Sequence, residues 1–249
     1  MDAPFNRGLA WYRYKSLEDE FINATKYFPF ESKYKEIWSE FFSDILTKIG
    51  NSIDSFFRNM LKTEAIFQSL PNVKLLKQAD EEKKNKGYAE RNRDIYYFID
   101  FFEPIYHLSN IEVDVAYGLT FYESKHCPFS EFKNKQPPFW WTSYNHVKHT
   151  WFDCIDEATL GSVVSALSGL FVLNITHKES LLYLVKHQQV ITFEYPESFS
   201  QTQLVNIFKE SMIGISDRYN SYNFTARTPL FTHQFRRDTT SKLAKFFNK

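Results

Sequence analysis

The sequence predicts a mainly α-helical fold, a helical bundle with a small two-stranded β element and a less regular C-terminal tail. Three observations lead there. Apolar residues recur every three to four positions over long stretches of residues 17–177, the spacing that lays one apolar stripe along a helix. The chain has only 7 Gly and 9 Pro in 249 residues, while 18% of it is aromatic, a balance that favours long regular elements with bulky cores over a loop-rich fold. Strict apolar alternation, the mark of a half-buried strand, is clearest in one stretch near the middle.

Taken in order, Ser16 followed by Asp19 reads as an acidic variant of a capping box. Phe21, Ala24 and Tyr27 then share a face, which predicts a helix over 17–27 that Pro29 ends. From Tyr34 to about Lys62, apolar residues fall at Tyr34, Trp38, Phe41, Ile45, Ile49, Ile53, Phe56 and Met60, the pattern of one long amphipathic helix. After Pro71, a helix is expected over 72–86, whose run Asp80–Lys86 has no apolar face and reads as solvated surface. Ile95, Phe98, Ile99 and Phe102 predict a helix over 94–102 disturbed at its end by Pro104.

At Ile111 the period changes to two: Ile111, Val113, Val115, Tyr117, Leu119 and Phe121 alternate with other residues, and a second short strand is expected over 190–195. These two strands are expected to pair as a ribbon covered by the helices. A helix follows over 156–177, in which Gly161, Ser165 and Gly169 lie four apart and form a narrow stripe where another helix can approach closely. The tail holds one expected helix, over 201–212, and sequence with no assignable pattern.

Lys plus Arg equals Asp plus Glu at 30 each. Overall charge therefore asks for neither a nucleic acid nor an anionic membrane, and such binding must come from a local patch. Two cysteines, Cys127 and Cys154, are no disulfide framework and fit a reducing, cytoplasmic setting. No secretory signal is expected at Met1–Tyr14. The apolar stretch Leu160–Ile175 falls short of the ~18 residues of a membrane span and contains Ser162, Ser165 and Ser168, so it reads as a buried core helix.

The segment Pro137–His149 is the one that carries chemistry. If helical, it sets Trp141, Asn145 and His149 in one row at spacing four and Tyr144 and Lys148 in the next. An imidazole that titrates near neutrality, an ammonium, an amide and a phenol would share one side of the helix, the parts needed to bind and cleave a phosphodiester. The plainer reading is that Trp140 and Trp141 are core and the polar row faces water. No metal and no cofactor are expected. His146 and His149 with Cys154, or His126 with Cys127, have poor ligand spacing, and there is no His-Glu-x-x-His, Cys-x-x-Cys, glycine-rich phosphate loop or Gly-x-Ser-x-Gly elbow. His107, His177, His187 and His233 read as structural or surface, and Arg227 with His233 is set aside because Pro229 interrupts any common helix.

The run Trp140–His149, followed by Ala158 and the helix Leu160–Leu173, resembles the signature region of the HEPN superfamily, the higher-eukaryote and prokaryote nucleotide-binding helical domains. The family motif is Arg, often Asn, three variable residues and His. Asn145 and His149 match the Asn and His positions, and Tyr144 stands where the family has Arg. The upstream helix from Tyr34 to Met60, with Ile53-Asp54-Ser55, extends the likeness over about residues 15–178.

The resemblance implies a HEPN-like helical domain over 1–180 with a small β insertion, and an extension over 181–249 packed on the same domain. It further implies a homodimer formed near the motif, with RNA, or an antitoxin or other partner protein, as ligand. The activity implied is metal-independent RNA cleavage in a toxin–antitoxin or phage-defence setting, with His149 as general acid/base, Lys148 as phosphate contact and Asn145 and Tyr144 as orienting groups. A phenol cannot supply the bidentate cation that Arg offers a phosphate, and the alternative is a catalytically inactive dimerisation or partner-binding module. A nucleotide-binding regulatory domain is a weaker third reading, since no phosphate loop is visible. Two-fold pairing near the Gly161–Ser165–Gly169 stripe and the end of the motif helix at His149 would bring two polar rows together, with the motif at or beside the interface.

Overall fold

The computed structural model describes residues 7–28, 30–63, 95–115, 125–177, 180–181, 183–184, 187, 191–193 and 224–235. It is mainly α-helical. Among the described residues there are six α-helices, α1 (Arg7–Ala24), α2 (Glu40–Thr63), α3 (Ile95–Tyr106), α4 (Phe139–His149), α5 (Trp151–Cys154) and α6 (Leu160–Thr176). Four short strands, β1 (Asp114–Val115), β2 (Ile191–Phe193), β3 (Phe224–Arg227) and β4 (Phe231–Phe235), complete the described elements with short 3-10 turns. The expected helices over 72–86 and 201–212, and the second half of the strand expected over 111–121, lie outside the described residues.

The core is organised on α6. Every residue of this helix is buried, and α1, α2 and α4 all pack on it. It begins at Leu160 rather than near 156 because Thr159 supplies the cap: its hydroxyl accepts the Ser162 N–H at 3.1 Å, while Ile155–Glu157 form a separate 3-10 turn. The N–H groups of Leu160 and Gly161 donate to the carbonyls of Ile37 and Lys35, both at 2.8 Å, so a neighbouring segment satisfies the helix start. The polar residues inside this apolar helix bond back to its own carbonyls, Ser168 to Ser165, Asn174 to Leu170 and Thr176 to Val172.

The small-residue stripe is used within the chain. A Cβ on Gly161 would meet the Lys35 carbonyl at 3.3 Å, and one on Gly169 would meet Phe129 and Trp140 at 3.2 and 3.3 Å. Gly161, Ser165 and Gly169 are all buried, which overturns the expectation that this stripe pairs two subunits. Its small side chains let α6 sit close to the chain's own aromatic residues instead.

Helix α2 follows its apolar stripe, with Ile45, Ile49, Ile53, Phe56 and Met60 buried. It starts at Glu40, not Tyr34, because the Ser39 hydroxyl accepts the Phe42 N–H at 3.1 Å and caps the helix, leaving Tyr34 in a 3-10 turn and Trp38 half exposed. Helix α1 is longer at its start than the expected 17–27. Trp11, Tyr14, Leu17 and Phe21 form its buried face, so Ser16 and Asp19 lie inside the helix and make no capping box. Helix α3 runs past Pro104, which sits in the last turn where its missing N–H costs a single helical bond.

The strands form one antiparallel sheet in the order β1-β4-β3-β2. The expected ribbon between the 111–121 and 190–195 segments is therefore wrong: those segments stand at opposite edges, and the β3–β4 hairpin of the tail lies between them. The hairpin buries Phe231, His233 and Phe235 on one face, and Phe231 stacks on Phe171 of α6 at 5.8 Å. Its turn is pinned to α1. The buried Glu18 carboxylate accepts from the Tyr14 hydroxyl at 2.8 Å and from the Leu230 N–H at 3.1 Å, and it pairs with Lys15. Donors on three sides are what lets a carboxylate lie in the interior.

Candidate functional site

Helix α4 carries the motif. Pro137-Pro138 extend the chain ahead of it, and Trp140 anchors its first turn by donating its indole N–H to the Pro128 carbonyl at 2.8 Å inside the core. Trp140 and Trp141 are both buried, so the two indoles are packing residues and no stacking platform.

Tyr144 is buried as well. Helix α4 crosses α2 at Gly50, and the Tyr144 ring fills the space above it: a Cβ on Gly50 would stand 2.3–2.6 Å from three ring carbons. The phenol hydroxyl donates to Asn51 Oδ1 at 2.8 Å and accepts from Lys148 Nζ at 2.9 Å. Lys148 also lies over the ring face, 5.2 Å from its centroid. Burial pushes the Tyr144 phenol above its ordinary range, against the opposing pull of Lys148.

The structure thus brings Tyr144 and Lys148 together and ties both to α2. Asn145 is half-buried and His149 exposed at the helix end, and neither side chain makes a hydrogen bond among the described residues. His146, Lys148 and His149 all lie in the last turn of α4, where positive charge complements the partial negative charge of the helix C-terminus.

Beyond α4 the chain turns at Thr150, whose N–H and hydroxyl both donate to the His146 carbonyl, at 2.7 and 2.8 Å. This turn brings His146 to Glu157, with Nδ1 2.9 Å from both carboxylate oxygens, and places Cys154 beside them. Helix α5 then presents Trp151 and Phe152 edge to face at 5.1 Å. Trp151 is anchored by its indole N–H to Ser43 Oγ at 2.8 Å, while Phe152 is 91% exposed.

A cavity of about 490 Å³ opens between α1 and α2, with polar lining from Arg13, Asn51, Ser52 and Ser55 and apolar lining from Phe56 and Leu170. Arg13 Nε donates to Ser52 Oγ at 3.2 Å. Asn51 joins the cavity to the Tyr144–Lys148 pair. The sequence reading missed it because Asn51, Ser52 and Ser55 lie on the polar face of α2, where small polar residues look like solvated surface.

Two further histidines, His233 and His126, are held in or near the interior. His233 on β4 is buried and donates Nδ1–H to the Glu112 carbonyl at 2.6 Å, and burial pulls its imidazole below the usual range. Arg227 pairs in register with Thr232, not with His233. His126 is bridged to Val113 through its backbone, and burial lowers its imidazole to about 4, while burial raises the neighbouring Cys127 thiol.

Compared with known proteins, the chain matches no family model, no curated protein and no solved structure. No helix among the described residues is long and apolar enough to cross a membrane.

Proposed function

We propose that the chain is a HEPN-like helical module that has given up catalysis and acts by binding a partner through the end of α4 and helix α5. The observation that carries this reading is the immobilised Tyr144. It stands at the family's Arg position, yet its ring is spent on packing α4 against Gly50 and its hydroxyl holds Lys148. A phosphate would meet no bidentate cation here. What α4 and α5 do offer outward is Lys148, His149, Trp151 and Phe152. Phe152, nearly fully exposed beside the partly exposed Trp151 indole, gives this end of α4 and α5 an apolar pair that a partner could cover.

A second reading keeps RNA as the ligand, and His149 as the general acid/base of a metal-independent ribonuclease in a toxin or phage-defence setting. It rests on the same four residues, since an ammonium and an imidazole next to two exposed aromatic rings are also what a single strand uses for phosphate contact and base stacking. One experiment separates the two. The purified chain is mixed with labelled single-stranded RNA at several salt concentrations with excess chelator, beside His149→Ala. The binding module predicts no cleavage by either protein and weak or salt-insensitive RNA binding. Cleavage that His149→Ala abolishes establishes the ribonuclease and overturns the first reading.

A further inference from the structure

We infer that His146, Cys154 and Glu157 form a binding site for a zinc-type divalent cation. Their ligand atoms, one from each side chain, all lie within 4.8 Å of one another. In a tetrahedral site, bonds of ~2.0 Å to nitrogen or oxygen and ~2.3 Å to sulfur put donors roughly 3.3–3.6 Å apart. The imidazole and carboxylate already stand closer than that, at 2.9 Å, so closing the site asks for about an ångström of movement by the thiol, within reach of one side-chain rotation.

The backbone holds the three donors together without a metal. Thr150 locks the turn after α4 by donating both its N–H and its hydroxyl to the His146 carbonyl, and the same hydroxyl oxygen lies 3.4 Å from Cys154 Sγ, which keeps the thiol beside the turn. Glu157 is fixed from the other side, its carbonyl accepting the Ser162 hydroxyl at 3.1 Å in the cap of α6. An ordinary surface pair of histidine and carboxylate would account for His146 and Glu157, but it leaves the thiol beside them without a reason.

The donor set selects the metal. One thiolate, one imidazole and one carboxylate suit zinc, and cobalt(II) as its spectroscopic substitute, while magnesium and calcium take oxygen ligands. Three protein donors leave the fourth position to water. Binding displaces the proton from the thiol and any proton shared between His146 and Glu157, so uptake releases acid.

The test uses the full, reduced chain. Added cobalt(II) should give the near-ultraviolet band of thiolate-to-metal charge transfer with the visible bands of a tetrahedral ion, and zinc should displace it. Cys127→Ser should keep that band, Cys154→Ser should abolish it, and Glu157→Gln should weaken the apparent affinity at least about tenfold. Zinc should also slow alkylation of Cys154 but not of Cys127 in the unmutated chain, a measurement that needs no variant to fold. A wild-type chain with no charge-transfer band, a band that survives Cys154→Ser, or a Cys154 equally reactive with and without zinc overturns the proposal.

Discussion

The ring of Tyr144 occupies the space that Gly50 leaves empty, so that a single methyl at position 50 would come within 2.3 Å of it. This close approach, with the Tyr144 bond to Asn51, is one of the contacts that fix α4 against α2.

Gly50→Ala tests it by the sign of the effect. In the middle of an exposed helix the change would stabilise by about 1 kcal/mol through lower unfolded-state entropy and better helix propensity. Here the methyl collides with a buried ring, and overpacking of this kind costs about 1–3 kcal/mol. The expected outcome is a lower urea midpoint at an unchanged denaturant slope. A higher midpoint would mean that Tyr144 does not lie over Gly50.

Substitutions at Tyr144 separate its packing from its hydroxyl. Tyr144→Phe keeps the ring and loses the bonds to Asn51 and Lys148, an expected destabilisation of about 1 kcal/mol. Tyr144→Ala empties a buried site and should cost ~3–5 kcal/mol. Tyr144→Arg, which introduces the residue of the proposed HEPN motif, should destabilise the chain and produce no RNA cleavage, because the buried position cannot hold a guanidinium extended toward a phosphate. Cleavage by that variant would contradict the burial of this position.

Much of the helical framework is written in apolar spacing. The buried row Ile45, Ile49, Ile53, Phe56 and Met60 is α2 read straight from its period, and the uninterrupted apolar run of α6 marks a helix buried all round. The starts of these helices are harder to read because a single side chain decides them. Tyr34 and Trp38 are in phase with α2, yet the Ser39 cap excludes them. The β3–β4 hairpin escaped because its strands are four and five residues long and mix Phe with Thr, His and Gln; its partner is Phe171, far away in sequence.

At the site, the helix and the core role of Trp140 and Trp141 are legible, but the inward direction of Tyr144 depends on Gly50 in another helix. Glu157 is invisible as a partner of His146 until the turn at Thr150 folds them together.

Acid should weaken the fold through His126. Burial, with a smaller contribution from Lys35, holds its imidazole at about 4, against an ordinary value of 6.5. Between those values the unfolded chain binds a proton that the folded chain refuses, so stability is full above about pH 6.5 and falls as pH drops toward 4. The difference between 6.5 and about 4 corresponds to roughly 3.5 kcal/mol at most. His233, also lowered by burial, adds in the same direction. Denaturation curves between pH 7 and 4 should show this loss, and His126→Gln should flatten the slope. An unchanged slope in that variant would remove His126 as its source.

The last expectation concerns how the tail is held. Glu18 lies fully buried between α1 and the turn of the β3–β4 hairpin, accepting from the Tyr14 hydroxyl and the Leu230 N–H, while Tyr14 also contacts Thr228 Oγ1 at 3.2 Å. Burial and the nearby Glu18 raise the Tyr14 phenol well above its ordinary range, so it remains a donor throughout the neutral range and the contact should not depend on pH there. Tyr14→Phe removes one donor from a buried carboxylate, which costs about 1.5–3 kcal/mol for a bond to a charged group. The loss should be felt first at the hairpin, because β3 and β4 reach the helical core through this turn and the Phe231–Phe171 stack. Amide exchange in Tyr14→Phe should therefore quicken at residues 224–235 more than in α6, whose burial does not rest on the carboxylate. Equal acceleration in both would mean that hairpin and helices open as one unit, and no change in either would mean that the Tyr14 bond to Glu18 does not hold the tail.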